Sequence, residues 1–140
     1  MATDPASAAV FELLAGIVYD ERGLVPAIAQ QFDTGEVLMF AWMNRQSLEA
    51  TLGSGQATYW SRSRDKLWRK GESSGQTQRL VELRVDCDKD CILLQVDQTG
   101  VACHTGRRTC FFTALRDGKL QEIAAVEIEP SKLYGGSPAR

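Results

Sequence analysis

The sequence predicts an α+β fold, a mainly antiparallel β-sheet with a few helices. Three observations predict it. Only two stretches carry helix-start signals, near Asp4 and Asn44. Several runs are rich in β-branched and aromatic residues, and some alternate polar and apolar side chains. Two of these runs flank a short Gly-containing turn, as in a hairpin.

The elements follow in chain order. Asp4-Pro5 places a capping side chain before a proline at the first helical position, which predicts a helix through about Val18. "LVPAIAQQF" and "VLMFAWM" flank Asp33-Thr34-Gly35-Glu36 and predict a hairpin. Asn44 caps a short helix through Leu52, which Gly53-Ser54-Gly55 ends. "ATYWSRS" alternates and is aromatic, so it predicts a strand. "RDKLWRKGESSGQTQ" is polar, basic and Gly/Ser-rich, and predicts a long loop. "RLVELRVDC", "CILLQVD" and "CFFTAL" are three further strand candidates, with an irregular "QTGVACHTGRRT" between the last two. Residues 127 to 140 read as a loose tail.

The chain has 140 residues, which predicts one domain over residues 1–140 with a core of its own. The formal net charge is -2, from 16 Lys+Arg against 18 Asp+Glu. That balance gives no general attraction to nucleic acid or an anionic membrane. No apolar run approaches the ~20 residues of a membrane span. The N-terminus lacks a basic start and carries Asp4 and Glu12, so it does not read as a secretory signal. A cytoplasmic location is expected. In that reducing compartment clustered thiols point to metal or catalysis before disulfides.

All four cysteines and the only histidine fall within "VDCDKDCILLQVDQTGVACHTGRRTC". If residues 84–91 are extended, Asp86, Asp88 and Asp90 share one face and Cys87, Lys89 and Cys91 the other. Carboxylates favour hard ions such as Mg²⁺, thiolates favour Zn²⁺. On that geometry two metals would sit on opposite sides of one strand. Cys87 and Cys91 would then lie ~13 Å apart at ~3.3 Å per residue, too far to share a zinc. Cys87, Cys103 and Cys110 remain as three ligands, leaving a fourth position for water, as in catalytic zinc sites. If "DKD" is a turn instead, all four cysteines can bind. The aspartates open like a calcium loop, but the sixth and twelfth positions hold Cys91 and Asp97 where an EF-hand needs Gly and Glu. Without a metal they read as a solvated edge. His104, next to Cys103, is a candidate for proton transfer.

Residues 59–78 combine Trp60 and Trp68 with Arg62, Arg64 and Lys70, then Ser73, Ser74 and Gly75. Such a mix can stack on a base and hold phosphate. It can equally be a solvated loop with its tryptophans in the core. No Walker loop is present. The competing functional class is a structural-zinc module that binds RNA or a nucleotide; the acidic balance and the lack of C-x-x-C pairs tell against it. The missing C-x-x-C also ranks a thiol redox protein last.

Four pieces, "GEVLMFAWMN", "ATYWSRSRDKLWRKGESSGQTQ", "DCDKDCILLQVDQ" and "ACHTGRRTCFF", resemble the phosphoribosyl-AMP cyclohydrolase family in order. They cover about residues 22–112. The resemblance implies a hydrolase of histidine biosynthesis that opens the adenine ring of 1-(5-phosphoribosyl)-AMP between N1 and C6, giving a carboxamide. It implies one zinc per subunit at Cys87, Cys103 and Cys110, and magnesium at Asp86, Asp88 and Asp90. It also implies a homodimer whose zinc ligands come from both subunits, with Cys91 outside the set. The adenine-deaminase signature H-x-E…P-C-x-x-C is absent. Some relatives carry a second, pyrophosphate-removing domain; this chain is too short for one and reads as monofunctional.

Overall fold

A computed structural model describes residues 5–133. The element order is α1 (Pro5–Gly16), β1 (Val25–Gln31), β2 (Val37–Met43), α2 (Arg45–Ser54), β3 (Thr58–Ser61), β4 (Lys66–Arg69), β5 (Gln78–Val85), β6 (Ile92–Gln98), β7 (Thr113–Arg116), β8 (Lys119–Glu122) and α3 (Pro130–Leu133). Helices are few and the strand pairs are mainly antiparallel, as the sequence predicts.

The main sheet has the order β2-β1-β6-β5. β1 pairs β2 antiparallel, Val25 opposite Met43, and pairs β6 in parallel, Ala27 opposite Ile92. The two central strands carry the core. Val25, Ala27 and Ala29 of β1 and Ile92, Leu94 and Val96 of β6 are fully buried. Pro26 is tolerated because the β6 pairing starts one residue later, so its missing N–H breaks no bond on that side.

α2 starts with a reciprocal cap. The Ser47 amide donates to Asn44 Oδ1 at 2.8 Å and the Asn44 amide to Ser47 Oγ at 2.8 Å. It ends at Gly55, whose φ of 76° lets the chain turn left-handed. Thr51 Oγ1 accepts from the Thr58 amide at 2.9 Å, tying α2 to β3. α1 stops at Gly16 and buries Leu14, and Ile17 beyond its end is buried too. The predicted Asp4 cap lies outside the described residues.

Three expectations change. The segment read as one long loop contains β4, which pairs with β3, Trp60 opposite Leu67 and Tyr59 opposite Trp68. Asp65, at φ 54°, makes the reversal. The last strand begins at Thr113, past the Cys-Phe-Phe that opened its predicted run, and pairs only with β8. The segment read as a loose tail contains α3, in which Leu133 is buried. The Glu127 and Ile128 amides donate to the Gly106 carbonyl, and a Cβ on Gly106 would stand 1.9 Å from the Ile128 oxygen. Only a glycine allows that approach. Residues 134–140 lie outside the described residues.

Candidate functional site

The cysteine loop follows β6. The Ala102 amide donates to the Arg108 carbonyl, the Cys103 amide to the Arg107 carbonyl, and the Gly106 amide to the Cys103 carbonyl. These bonds make residues 102–108 a tight, self-supporting loop. Arg108 fastens it to the sheet through the Gln98 and Gly100 carbonyls, at 3.0 and 2.7 Å, and Gln31 Oε1 at 2.8 Å. Arg107 fastens it to the C-terminal segment through the Ala124 carbonyl and Glu122, and lies over the Phe112 ring. Beyond it the Cys110 amide donates to the Leu38 carbonyl at 2.7 Å, so Cys110 is pinned to β2.

Cys103 is buried, and Thr105 Oγ1 donates to its Sγ at 3.0 Å. It acts on the thiol of Cys110. Cys110 as a whole residue is exposed, but burial around its thiol, then the Cys103 thiol, push that thiol up to about 12, and Lys70 opposes the rise. Tyr59, fully buried beneath, is also held protonated, by burial and by Cys110. His104 is exposed at the loop surface beside this pair.

Cys87 stands elsewhere. β5 ends at Val85, so residues 86–91 are the turn of the β5–β6 hairpin and not an extended strand. The Asp86 amide donates to the Cys91 carbonyl at 3.1 Å and Lys89 adopts φ 61°. This corrects the alternation argument. Cys87 and Cys91 flank one tight turn, and the ~13 Å separation that excluded Cys91 does not apply. Cys87 is exposed and Cys91 half-buried. Among the described residues no group brings Cys87 together with both Cys103 and Cys110.

The turn achieves what alternation did not need to. The carboxylates of Asp86, Asp88 and Asp90 converge within 4.8 Å of one another, all exposed. The Asp90 carboxyl is pushed up by its hydrogen bond to Asp86 and by the charges of Asp86 and Asp88. Three like charges so close favour either a shared proton or a cation.

The basic, aromatic segment divides in two. Trp60 and Arg62 line an open cleft of about 430 Å³ with Arg22, Trp42, Ser63 and Trp68. The Arg62 guanidinium sits 4.7 Å from the Trp42 ring centroid, and the residue is exposed. Arg64 is exposed at the hairpin tip. Ser73, Ser74 and Gly75 form the following turn, closed by the Gly75 amide on the Gly71 carbonyl at 2.8 Å. Lys70 points the other way, donating its ammonium to the Ala102 carbonyl beside Cys103.

Sequence reasoning missed the glutamines that carry this arrangement. Tyr59 donates to Gln78 Oε1 at 2.7 Å, and Gln78 Nε2 donates to Gln98 Oε1 at 2.8 Å. Gln76 Oε1 accepts from the Val101 amide at 3.1 Å, joining the Ser73–Gly75 turn to the cysteine loop. The signal was present: Gln76 and Gln78 alternate at the start of a strand, where an inward glutamine demands partners.

The family model described as phosphoribosyl-AMP cyclohydrolase matches residues 39–112, which include all four cysteines, the three aspartates and the β3–β4 hairpin. A protein of Rhodospirillum centenum with that name is 64% identical over 123 residues, covering 88% of this chain and 92% of the relative. The Magnetococcus marinus protein of the same name is 62% identical over 122 residues, 87% and 95% of the two chains. That of Rhodospirillum rubrum is 58% identical over 136 residues, 96% and 95%. The chain belongs to the phosphoribosyl-AMP cyclohydrolase family. It is therefore a hydrolase of a family that serves histidine biosynthesis. Among the described residues no helix is long and apolar enough to cross a membrane.

The donor sets fit the two ions that the sequence resemblance implies. Two neighbouring thiols, that of Cys110 held protonated by burial and by Cys103, form a pair that would hold a soft divalent cation once ionised. Three converging carboxylates would take a hard one.

Proposed function

We propose that this enzyme hydrolyses the N1–C6 bond of the adenine ring in 1-(5-phosphoribosyl)-AMP, yielding the carboxamide intermediate of histidine biosynthesis. The observation that carries the reading is the split of the cysteines. The Cys103 and Cys110 thiols influence each other, while Cys87 sits on the separate turn between β5 and β6. A homodimer reconciles them, with one zinc per subunit held by Cys103 and Cys110 and by Cys87 of the partner subunit. Exposed apolar side chains support association: Phe111 beside Cys110, and the cross-strand pair Leu115 and Leu120, 72% and 77% exposed. Magnesium would sit at Asp86, Asp88 and Asp90. We place this one-domain enzyme in the cytoplasm.

Zinc in a site with three thiolates and one open position would supply a Lewis acid that acidifies water. Three thiolates leave the site at about net -1, so they acidify water less than three neutral imidazoles would. A protein base therefore matters. His104, exposed at the mouth of the thiol loop, accepts the proton of the attacking water on an imidazole nitrogen. Oxygen joins C6; the C6–N1 bond then breaks with its electron pair going to N1, which takes up the second proton of the water as C6 becomes a carbonyl, and the exocyclic amine stays on C6 as part of the carboxamide. Arg62 and Arg64 are placed for the substrate's two phosphates, with the Ser73-Ser74-Gly75 turn, and Trp60 for stacking on a base.

The test is an absorbance assay of ring opening with the purified protein. Turnover that a zinc chelator abolishes and zinc restores supports the reading. Turnover untouched by complete zinc removal, or no ring opening at all, overturns it.

A further inference from the structure

Lys70 lies in the segment that sequence reasoning assigned to phosphate, but its geometry is of another kind. Its backbone amide is fixed to the Ala57 carbonyl at 3.0 Å, at the end of the β3–β4 hairpin. Its ammonium crosses to the Ala102 carbonyl, the peptide that leads into Cys103, and lies 5.9 Å from the Trp68 ring centroid. Ala102 is thus held at both ends, since its amide donates to the Arg108 carbonyl.

The other cations of the loop are committed to structure. Arg107 is taken by Ala124 and Glu122, and Arg108 by Gln98, Gly100, Gln31 and Glu36. A cluster of three thiolates around one divalent ion keeps about one negative charge. A cation held close to that charge stabilises it.

We propose that Lys70 is a positioning residue of the thiolate site, fixing the Ala102–Cys103 peptide and supplying the positive charge that stabilises the zinc–thiolate cluster. The proposal rests on the zinc reading above. It removes Lys70 from the phosphate-binding set and leaves that task to Arg62, Arg64 and the Ser73-Ser74-Gly75 turn.

The experiment compares Lys70→Gln, Lys70→Met and Lys70→Arg with the wild-type full chain. Zinc affinity is read by competition with a chromophoric chelator, and KM and kcat are read at saturating zinc. Loss of an outer-sphere partner predicts zinc affinity weakened by roughly 10–100-fold in Lys70→Gln. KM should stay within about twofold of wild type, because no ground-state contact to substrate is lost. Lys70→Arg should restore much of the affinity by restoring the charge. Lys70→Met keeps the apolar stem against Trp68 and serves if the glutamine variant does not fold. Wild-type zinc affinity with a raised KM in the Gln or Met variant would overturn the proposal in favour of a phosphate contact. Cys103→Ser, run alongside, separates the two claims. If it keeps zinc as wild type does, the zinc reading fails and the Lys70 role with it. If it loses zinc while Lys70→Gln does not, only the Lys70 assignment fails.

Discussion

Cys103 acts on the thiol of Cys110, a residue whose own amide is pinned to the Leu38 carbonyl of β2 at 2.7 Å. Burial around the thiol, then Cys103, hold it up to about 12, against 9.0 for a free thiol, although the residue as a whole is exposed. In the metal-free protein the group therefore stays protonated in the fold after it has ionised in the unfolded chain. Its contribution to stability is whole below about pH 9 and is lost as pH rises toward about 12. Metal-free wild type should lose melting temperature relative to Cys110→Ala between about pH 8 and pH 11. A difference that does not change with pH would place the thiol in a different environment.

The aspartate turn makes its own prediction. Asp88→Asn removes one of three converging carboxylates. Without magnesium the variant should be at least as thermally stable as wild type, because repulsion falls. Its magnesium requirement should rise by no less than the roughly 10–100-fold that loss of even an outer-sphere partner costs. Magnesium titration of turnover reads the second effect. An unchanged requirement would leave the turn as a solvated edge.

Tyr59 and Gln78 are both fully buried and bonded to each other. Gln78→Leu strands the Tyr59 hydroxyl and removes the donor to Gln98, which should cost about 1–3 kcal/mol. Tyr59→Phe added to it should recover part of that loss, since both partners are then apolar. Urea unfolding of the two variants measures this. No recovery in the double variant would mean that the loss is one of packing.

His104→Ala should slow ring opening while zinc content stays at the wild-type level. General bases contribute typically ~10²–10⁴-fold, which sets the scale of the expected loss. A wild-type rate and pH profile would remove His104 from the chemistry.

Much of this arrangement is legible in the residues. Asn44, with the glycines after Leu52, announces α2, and the alternation around Asp33-Thr34-Gly35-Glu36 announces the β1–β2 hairpin. β4 is hidden because Lys66–Arg69 is short and polar at its ends, and its stability comes from pairing with β3 rather than from propensity. The aspartates were grouped correctly from an incorrect conformation. A left-handed Lys89 closes the turn, and lysine gives no local sign of that, unlike glycine or asparagine. The role of Lys70 was beyond reach, since its partner Ala102 offers only a backbone carbonyl 32 residues away.

The central claim is that Cys87 completes a site built on the other subunit's Cys103 and Cys110. Hybrid dimers test it most directly. Cys87→Ser and Cys103→Ser are purified separately, shown to be inactive, then unfolded together and refolded with zinc. In a mixed dimer one site lacks both residues and the other lacks neither. Random pairing makes about half of the dimers mixed, each with one intact site, so activity should return to about a quarter of wild type. If each site were built within one subunit, no pairing could restore it. A mixture that forms hybrid dimers and stays inactive would contradict the account.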